Sequence, residues 1–243
     1  MKPQPELPAD DQPAGQPAPD RKTELAAALR RRILTMRIAP GAVLDEHELA
    51  AEFGLSRPPV RELMRQMAGE GYIELEPNRA ARVTPMGHQS LRDFFLVAPM
   101  VYVATTRLAA ERRTSADIDV LAAIQDRFRT AIAKGDVEGR VFHNDRFHLA
   151  IGETARNAYL LPSLRRCLID HARIAKVFYD DQPLACAESE RDEAAAQHDA
   201  IIAALVARDA DAAEALVRAH LDLSRRNMAL YAAPEAMNLR FDT

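Results

Sequence analysis

Between residues 23 and 67 the apolar positions recur every three or four residues in three short runs, each bounded by turn-forming residues. In the first run Leu25, Ala28, Leu29, Ile33 and Met36 share one helical face, with Thr23 as the expected N-cap and Pro40-Gly41 as the closing turn. Asp45 is placed to cap a second, short helix running to Phe53. Gly54 breaks the pattern, and Ser56 is the expected cap of a third helix. Pro58 is tolerated in its first turn, where a missing N–H has no intrahelical partner to lose. Two short helices around a glycine turn make a helix-turn-helix candidate. Beyond Gly71, Tyr72-Ile73-Glu74-Leu75 and Ala81-Arg82-Val83-Thr84 are expected to pair across Pro77-Asn78-Arg79-Ala80 as a small hairpin, a wing.

From about Leu91 helical spacing takes over. The polar breaks predict six helices near 90–112, 115–134, 136–155, 158–180, 188–207 and 209–230. Stripes such as Leu91, Phe95, Ala98, Tyr102, Thr105, Leu108 and Leu216, His220, Leu223, Asn227, Leu230 give each helix one face to bury. The expected fold is mainly α: an N-terminal winged helix-turn-helix with a small β-hairpin wing, then an all-α six-helix bundle. The division is an arm at 1–20, a head at 21–86, a linker at 87–91, a bundle at 92–232 and a tail at 233–243.

Composition supports this division. A chain of 243 residues has room for two units with their own cores. Only 9 glycines weigh against an α/β enzyme threaded with phosphate loops. Six of the 15 prolines fall in residues 1–20, which read as a disordered arm. The net charge of −4 hides an uneven distribution: residues 21–86 carry 11 Lys/Arg against 9 Asp/Glu, and residues 87–243 carry 20 against 23. The head alone is net positive. Cys167 and Cys186 form no C-x-x-C pair, which suits a reducing cytoplasm. The longest nearly apolar run, Phe94 to Ala104, contains Pro99 and falls short of the ~18 residues a membrane span needs. The N-terminus lacks the apolar stretch of a secretory signal, so a cytoplasmic protein with no membrane partner is expected.

The chemistry of the head lies in its third run. With Leu49, Ala50, Phe53, Leu55, Val60, Leu63, Met64 and Met67 turned inward, Arg57, Arg61 and Arg65 stand four apart on the opposite face. A helix entering the major groove needs such a row to reach guanine edges and phosphates. From Leu29 through Arg31-Arg32-Ile33, Pro40-Gly41-Ala42-Val43-Leu44, Glu48-Leu49-Ala50 and Gly54-Leu55-Ser56-Arg57-Pro58-Pro59-Val60-Arg61-Glu62 to Glu70-Gly71-Tyr72, the segment resembles the GntR-type winged helix-turn-helix regulators. The resemblance implies a DNA-binding set of Arg31, Arg32, Ser56, Arg57, Pro58, Arg61, Arg65 and the wing-tip Arg79. In the family the arginines matching Arg57 and Arg61 contact bases or phosphates, and those of the first helix touch backbone. The wing tip Asn78-Arg79-Ala80-Ala81 departs from the family in lacking a glycine after the arginine.

Five of the seven histidines lie in the second half, at 143, 148, 171, 198 and 220. Asn144 and His148 share a face with Val141 and Ile151. His198 falls in the row Ala194, Ile201, Leu205, and His220 in the row Leu216, Leu223. A lone inward histidine is ordinarily a hydrogen-bonded core residue. Three of them with Asn144 are harder to satisfy on apolar helix faces, and a divalent metal would satisfy them together. Asn144-Asp145-Arg146-Phe147-His148, Gln197-His198-Asp199-Ala200-Ile201 and Arg218-Ala219-His220-Leu221 resemble the motifs of the FCD ligand-binding domain of FadR-type GntR regulators. That resemblance implies a divalent transition metal, zinc or nickel, on Asn144, His148, His198 and His220, beside a cavity for a small organic acid. Asn144 offers a neutral amide oxygen, a poorer ligand than carboxylate. Ala98 stands where many members carry a carboxylate-pairing arginine. Ala98, Tyr102, Asp145 and His171 form the expected effector lining.

Together these readings predict a ligand-responsive regulator, a repressor, acting as a homodimer on inverted-repeat double-stranded DNA. The alternatives are a metallohydrolase fused to a DNA-binding head, for which no H-E-x-x-H or comparable base motif is present, and a regulator whose histidines form a metal-free cluster. Nonspecific DNA compaction conflicts with the acidic overall charge.

Overall fold

A computed structural model of the chain describes residues 20–77, 79–181 and 184–232, with side chains over 20–77, 79–177 and 192–226. The expected arm up to residue 19, Asn78 and the tail at 233–243 lie outside the described residues, and Cys186, Asn227 and Leu230 lie outside those with described side chains.

The head comprises α1 (Arg21–Leu34), α2 (Glu46–Glu52), α3 (Arg57–Glu70), β1 (Ile73–Glu74) and β2 (Arg82–Val83). The cap of α1 is Asp20, not Thr23, three residues earlier than the apolar pattern suggests: its carboxylate accepts from the Lys22 N–H at 3.2 Å. A negative side chain at a helix N-terminus also interacts favourably with the peptide dipoles. Asp45 caps α2 as expected, accepting from the His47 and Glu48 N–H groups. Ser56 occupies the N-cap position of α3, but its hydroxyl caps nothing. A capping side chain accepts from the second or third helical N–H, and Pro58 and Pro59 stand at both places. Gly71, at φ +89°, ends α3 in the left-handed conformation. The wing pairs Ile73 with Val83 and Glu74 with Arg82, and Val43 bridges to Arg82 alongside. Leu25, Leu29, Ile33, Val60, Leu63, Met64, Met67, Ile73 and Val83 fill the head's core.

The body comprises α4 (His88–Arg112), α5 (Ser115–Ala133), α6 (Val137–Thr154), α7 (Leu160–Asp181), α8 (Leu184–Ala207) and α9 (Ala210–Ala232). The residues read as a linker at 87–91 are almost all helical. The Gly87 N–H donates to Ser90 Oγ at 2.8 Å and starts α4 at once. By length and composition α4 could cross a bilayer, but half of its apolar stretch is buried inside the protein. It is the central helix of the core, packed on α9, α7 and α6 through Phe94, Ala98, Tyr102, Ala109 and Ala110.

Helix α7 carries two faces. Leu164, Leu168 and Ile174 enter the body's core, while Ile169 and Ala172 meet Leu34 of α1 and Val141 of α6 in a small apolar seam under the head. At the same seam the guanidinium of Arg173, fully buried, donates to the Thr84 carbonyl at 3.0 Å and to Asp170 at 3.3 Å. Arg166 of α7 lies so close to Gly71 that a Cβ there would sit 2.5 Å from its Cδ. Head and body therefore share buried contacts.

Candidate nucleic-acid face and histidine centre

On α3 the apolar residues Val60, Leu63, Met64 and Met67 are buried, which leaves Arg57, Arg61 and Arg65 exposed in one row. Glu46 at the start of α2 organises part of that row. It lies 3.0 Å from the Arg61 guanidinium and 3.6 Å from that of Arg57, and hydrogen bonding from Arg61 holds its carboxyl below the usual range. Arg65 makes no ion pair among the described residues. The Ser56 hydroxyl and Pro58 sit exposed at the mouth of the helix. Arg32 is held by Glu52 and lies over the Phe53 ring. Arg31 is half exposed, 4.0 Å from Glu138 and over the Phe142 ring of the body. Arg79 is exposed at the wing and paired with Glu76.

In the body, α6, α7, α8 and α9 bring His148, His171, His198 and His220 together, each 0–4% exposed. Burial drives all four rings toward the neutral form: His171 is lowered to about 4, His220 to about 3, and His148 and His198 well below the usual imidazole value. Neutral imidazole is the form that ligates metal. The Nε2 atoms of His148 and His220 face each other at 3.1 Å. The ring of His198 lies 4.8 Å from that of His220 and 5.4 Å from that of His148, edge-on to the latter and stacked on Phe147. Its Nε2 is buried with no hydrogen-bond partner.

His171 also approaches this group. Its ligand nitrogen falls within 4.8 Å of those of His148 and His220, so proximity alone would make it the third member. Hydrogen bonding argues for His198. The buried Tyr102 hydroxyl, whose ionisation burial pushes well above the ordinary range, is hydrogen-bonded to His171 Nδ1 at 2.8 Å. His171 Nε2 is hydrogen-bonded to Ser224 Oγ at 3.3 Å. Both His171 nitrogens are engaged, whereas His198 has a bare one. Asn144 is buried one turn before His148 on α6.

Ala98 and Tyr102 are buried on α4. Phe94, Ala98 and Pro99 wall a groove of about 290 Å³ with Arg218 and Arg225 of α9. Asp145 belongs elsewhere: one residue on from Asn144 is a rotation of ~100°. Its side chain lines a cleft of about 770 Å³ between head and body with Arg30, Glu70, Tyr72, Arg165 and Arg166. Desolvation there pushes its carboxyl up to about 7.

Two family models match the chain. Residues 21–83 match the bacterial regulatory proteins of the gntR family, and residues 100–223, half of the chain, match the FCD domain. The chain belongs to the GntR family, in the branch that carries an FCD domain. It is a DNA-binding transcriptional regulator and not an enzyme, as are its relatives. The HTH-type transcriptional repressor RspR of Escherichia coli K12 is 28% identical over 193 residues, 79% of this chain and 82% of its own length. A probable D-xylose utilization operon transcriptional repressor of Paenarthrobacter nicotinovorans is 29% identical over 187 residues, 76% of this chain and 78% of its own. Among solved structures, E. coli McbR/YncC superposes with a TM-score of 0.72 over 87% of this chain and 96% of its own at 21% identity, which carries the fold.

Several features of the regulator's sites escaped the sequence. Glu46, Gln125 and Gln197 reach their partners across helices, and no spacing within one helix signals such contacts. Thr105, buried with Thr106 beside Tyr102 and His148, reads as an ordinary stripe position.

Proposed function

We propose that the regulator is a repressor that binds an inverted-repeat operator as a homodimer and responds to a small organic acid at the histidine centre. There a divalent transition metal, zinc or nickel, is held by His148, His198, His220 and Asn144. The observation that carries the metal reading is the buried, unpartnered Nε2 of His198 beside two Nε2 atoms 3.1 Å apart. A buried acceptor without a partner is unfavourable by ~1–3 kcal/mol, and the spacing suits two imidazoles on one metal at ~2.0–2.1 Å each. A metal-free cluster satisfies His148 and His220 through one shared proton but leaves His198 unsatisfied. Bound there, the metal would supply Lewis acidity toward a carboxylate. With Ala98 in place of the usual arginine, Arg218 or Arg225 in the adjoining groove is the residue of this chain positioned to add charge.

On DNA, Arg57, Arg61 and Arg65 enter the major groove, with Ser56 and Pro58 at the phosphates. Arg32, Arg79 and, at the edge, Arg31 serve the backbone. The dimer is supported by α4, which leaves Leu96, Val97 and Met100 at 71%, 46% and 70% exposure in one apolar strip. Coupling runs through α7, because His171 beside the centre and Arg173 at the Thr84 carbonyl are two residues apart. The test is a titration of a protein-selected inverted-repeat duplex with the protein, with and without a panel of small organic acids and zinc. Specific binding weakened by one acid in a metal-dependent way is expected. Binding indifferent to sequence, or to every acid with and without metal, would overturn the proposal.

A further inference from the structure

Two hydrogen-bonded chains converge on the histidine centre and have the same order of groups. In the first, Gln125 of α5 donates its amide N–H to the Ala195 carbonyl at 2.8 Å and to Asp199 at 2.9 Å, and Asp199 is held in turn by Arg129. In the second, Gln197 of α8 donates to Glu193 at 3.0 Å, and Glu193 is held by Arg226 at 3.1 Å. Carbonyls and carboxylates only accept, so each amide nitrogen must face them and each amide oxygen must face the other way. Gln125 Oε1 thus meets His198 Nδ1 at 3.1 Å, and Gln197 Oε1 meets His220 Nδ1 at 2.9 Å. An amide oxygen can only accept, so both histidines carry their proton on Nδ1 and turn a bare Nε2 inward.

We infer that Gln125 and Gln197 are positioning residues that fix His198 and His220 in the Nδ1–H tautomer, presetting two Nε2 lone pairs toward one metal. The inference rests on the metal reading above for its consequence and on geometry alone for the tautomers. One turn of α8 serves both chains. Gln197 orients His220 of α9, His198 is itself a ligand, and Asp199 orients the Gln125 that orients His198. Groups that hydrogen-bond the far nitrogen of a ligating histidine set its orientation and basicity, and their loss lowers metal affinity by about 10- to 100-fold.

The first measurement is histidine ¹⁵N NMR on the metal-free wild-type protein, which needs no variant to fold. Two rings in the Nδ1–H form, assigned to His198 and His220 by their individual replacement, are expected. Either ring found as Nε2–H overturns the inference, whatever metal does. The second is competition of zinc and of nickel against a chromophoric chelator for wild type, Gln197→Met and Gln125→Met, each checked for an unchanged thermal transition. A loss of about 10- to 100-fold in Gln197→Met, with a shift of His220 toward the Nε2–H form, is expected. Gln197→Glu, which keeps an accepting oxygen, should recover most of that affinity. Unchanged affinity in both Met variants overturns the inference. Expected tautomers in a wild-type protein that takes up neither metal would overturn the metal reading instead and leave the positioning role standing.

Discussion

The head and the body of this regulator handle charge in opposite ways. On α3 the arginines stand in water, and one of their neighbours, Glu46, partly neutralises them without burying them. In the body four titratable rings are buried and driven neutral, and glutamines and a tyrosine hold the Nδ1 atoms of three of them while His198 Nε2 is left bare. An exposed cation keeps its hydration and is available to a polyanion, whose counterions are released on binding. A buried neutral imidazole offers a directed lone pair. The contrast separates a surface suited to phosphate and base edges from an interior of buried, directed lone pairs, and α7 packs against both the head and the body.

Replacements on the two sides should therefore separate cleanly, and the largest effect falls on the head. Arg57→Ala and Arg61→Ala should each weaken binding to the selected operator by ~10- to 100-fold, at ~1–3 kcal/mol per base contact, and the double variant should bind it no better than random DNA in an anisotropy titration. His198→Ala combined with His220→Ala should abolish metal uptake and the acid response while operator affinity stays within about twofold. A parallel loss of DNA binding would erase the separation.

The coupling element comes next. Arg173→Met removes the buried donor to Thr84 and leaves Asp170 its partner Arg166, 3.0 Å away. Operator binding and metal content should persist, but the acid should lose most of its effect on affinity, a coupling of ~1–3 kcal/mol in regulators of this kind. An undiminished response would move the route away from this seam.

Acid should expose the interior. The four histidines titrate lower in the folded than in the unfolded chain, where imidazole has a pKa of ~6.5. Below that value the unfolded state takes up protons that the folded state refuses, so stability rises with pH between about 4 and ~6.5 and is flat above. Asp145, raised to about 7, works in the other direction, favouring the fold at low pH and losing that contribution as pH climbs toward 7, but it is one group against four. The thermal midpoint of metal-free protein should fall as pH drops from 6.5 to 4, and a flat profile there would contradict the buried neutral cluster. Glu46→Gln should have the smallest effect, a gain of a few-fold in operator affinity from removing a carboxylate beside the phosphates.

The sequence carried most of the fold because its signals are local. Asp45, Gly54 and Gly71 punctuate the head within a residue or two of where the helices turn. The six body helices follow their apolar stripes, α4 running straight through Pro99. The misreadings have physical sources of the same kind. Thr23 loses to Asp20 because an acidic cap three residues earlier is available. Ser56 was read as a cap although Pro58 and Pro59 remove the donors it would need, a fact already legible in the chain. Asp145, expected beside Ala98, instead lines the cleft between head and body. What no local pattern could reveal were the partners 69 or more residues distant: Gln125 for His198 and Tyr102 for His171, together with the seam that buries Arg173 against Thr84.

The most direct measurement is elemental analysis of the regulator purified without an affinity tag or chelator. The account predicts about one transition metal per chain, lost together with the acid response when His198 and His220 are replaced. A metal-free protein whose thermal transition neither zinc nor nickel shifts would contradict it, and would make the histidines a hydrogen-bonded core.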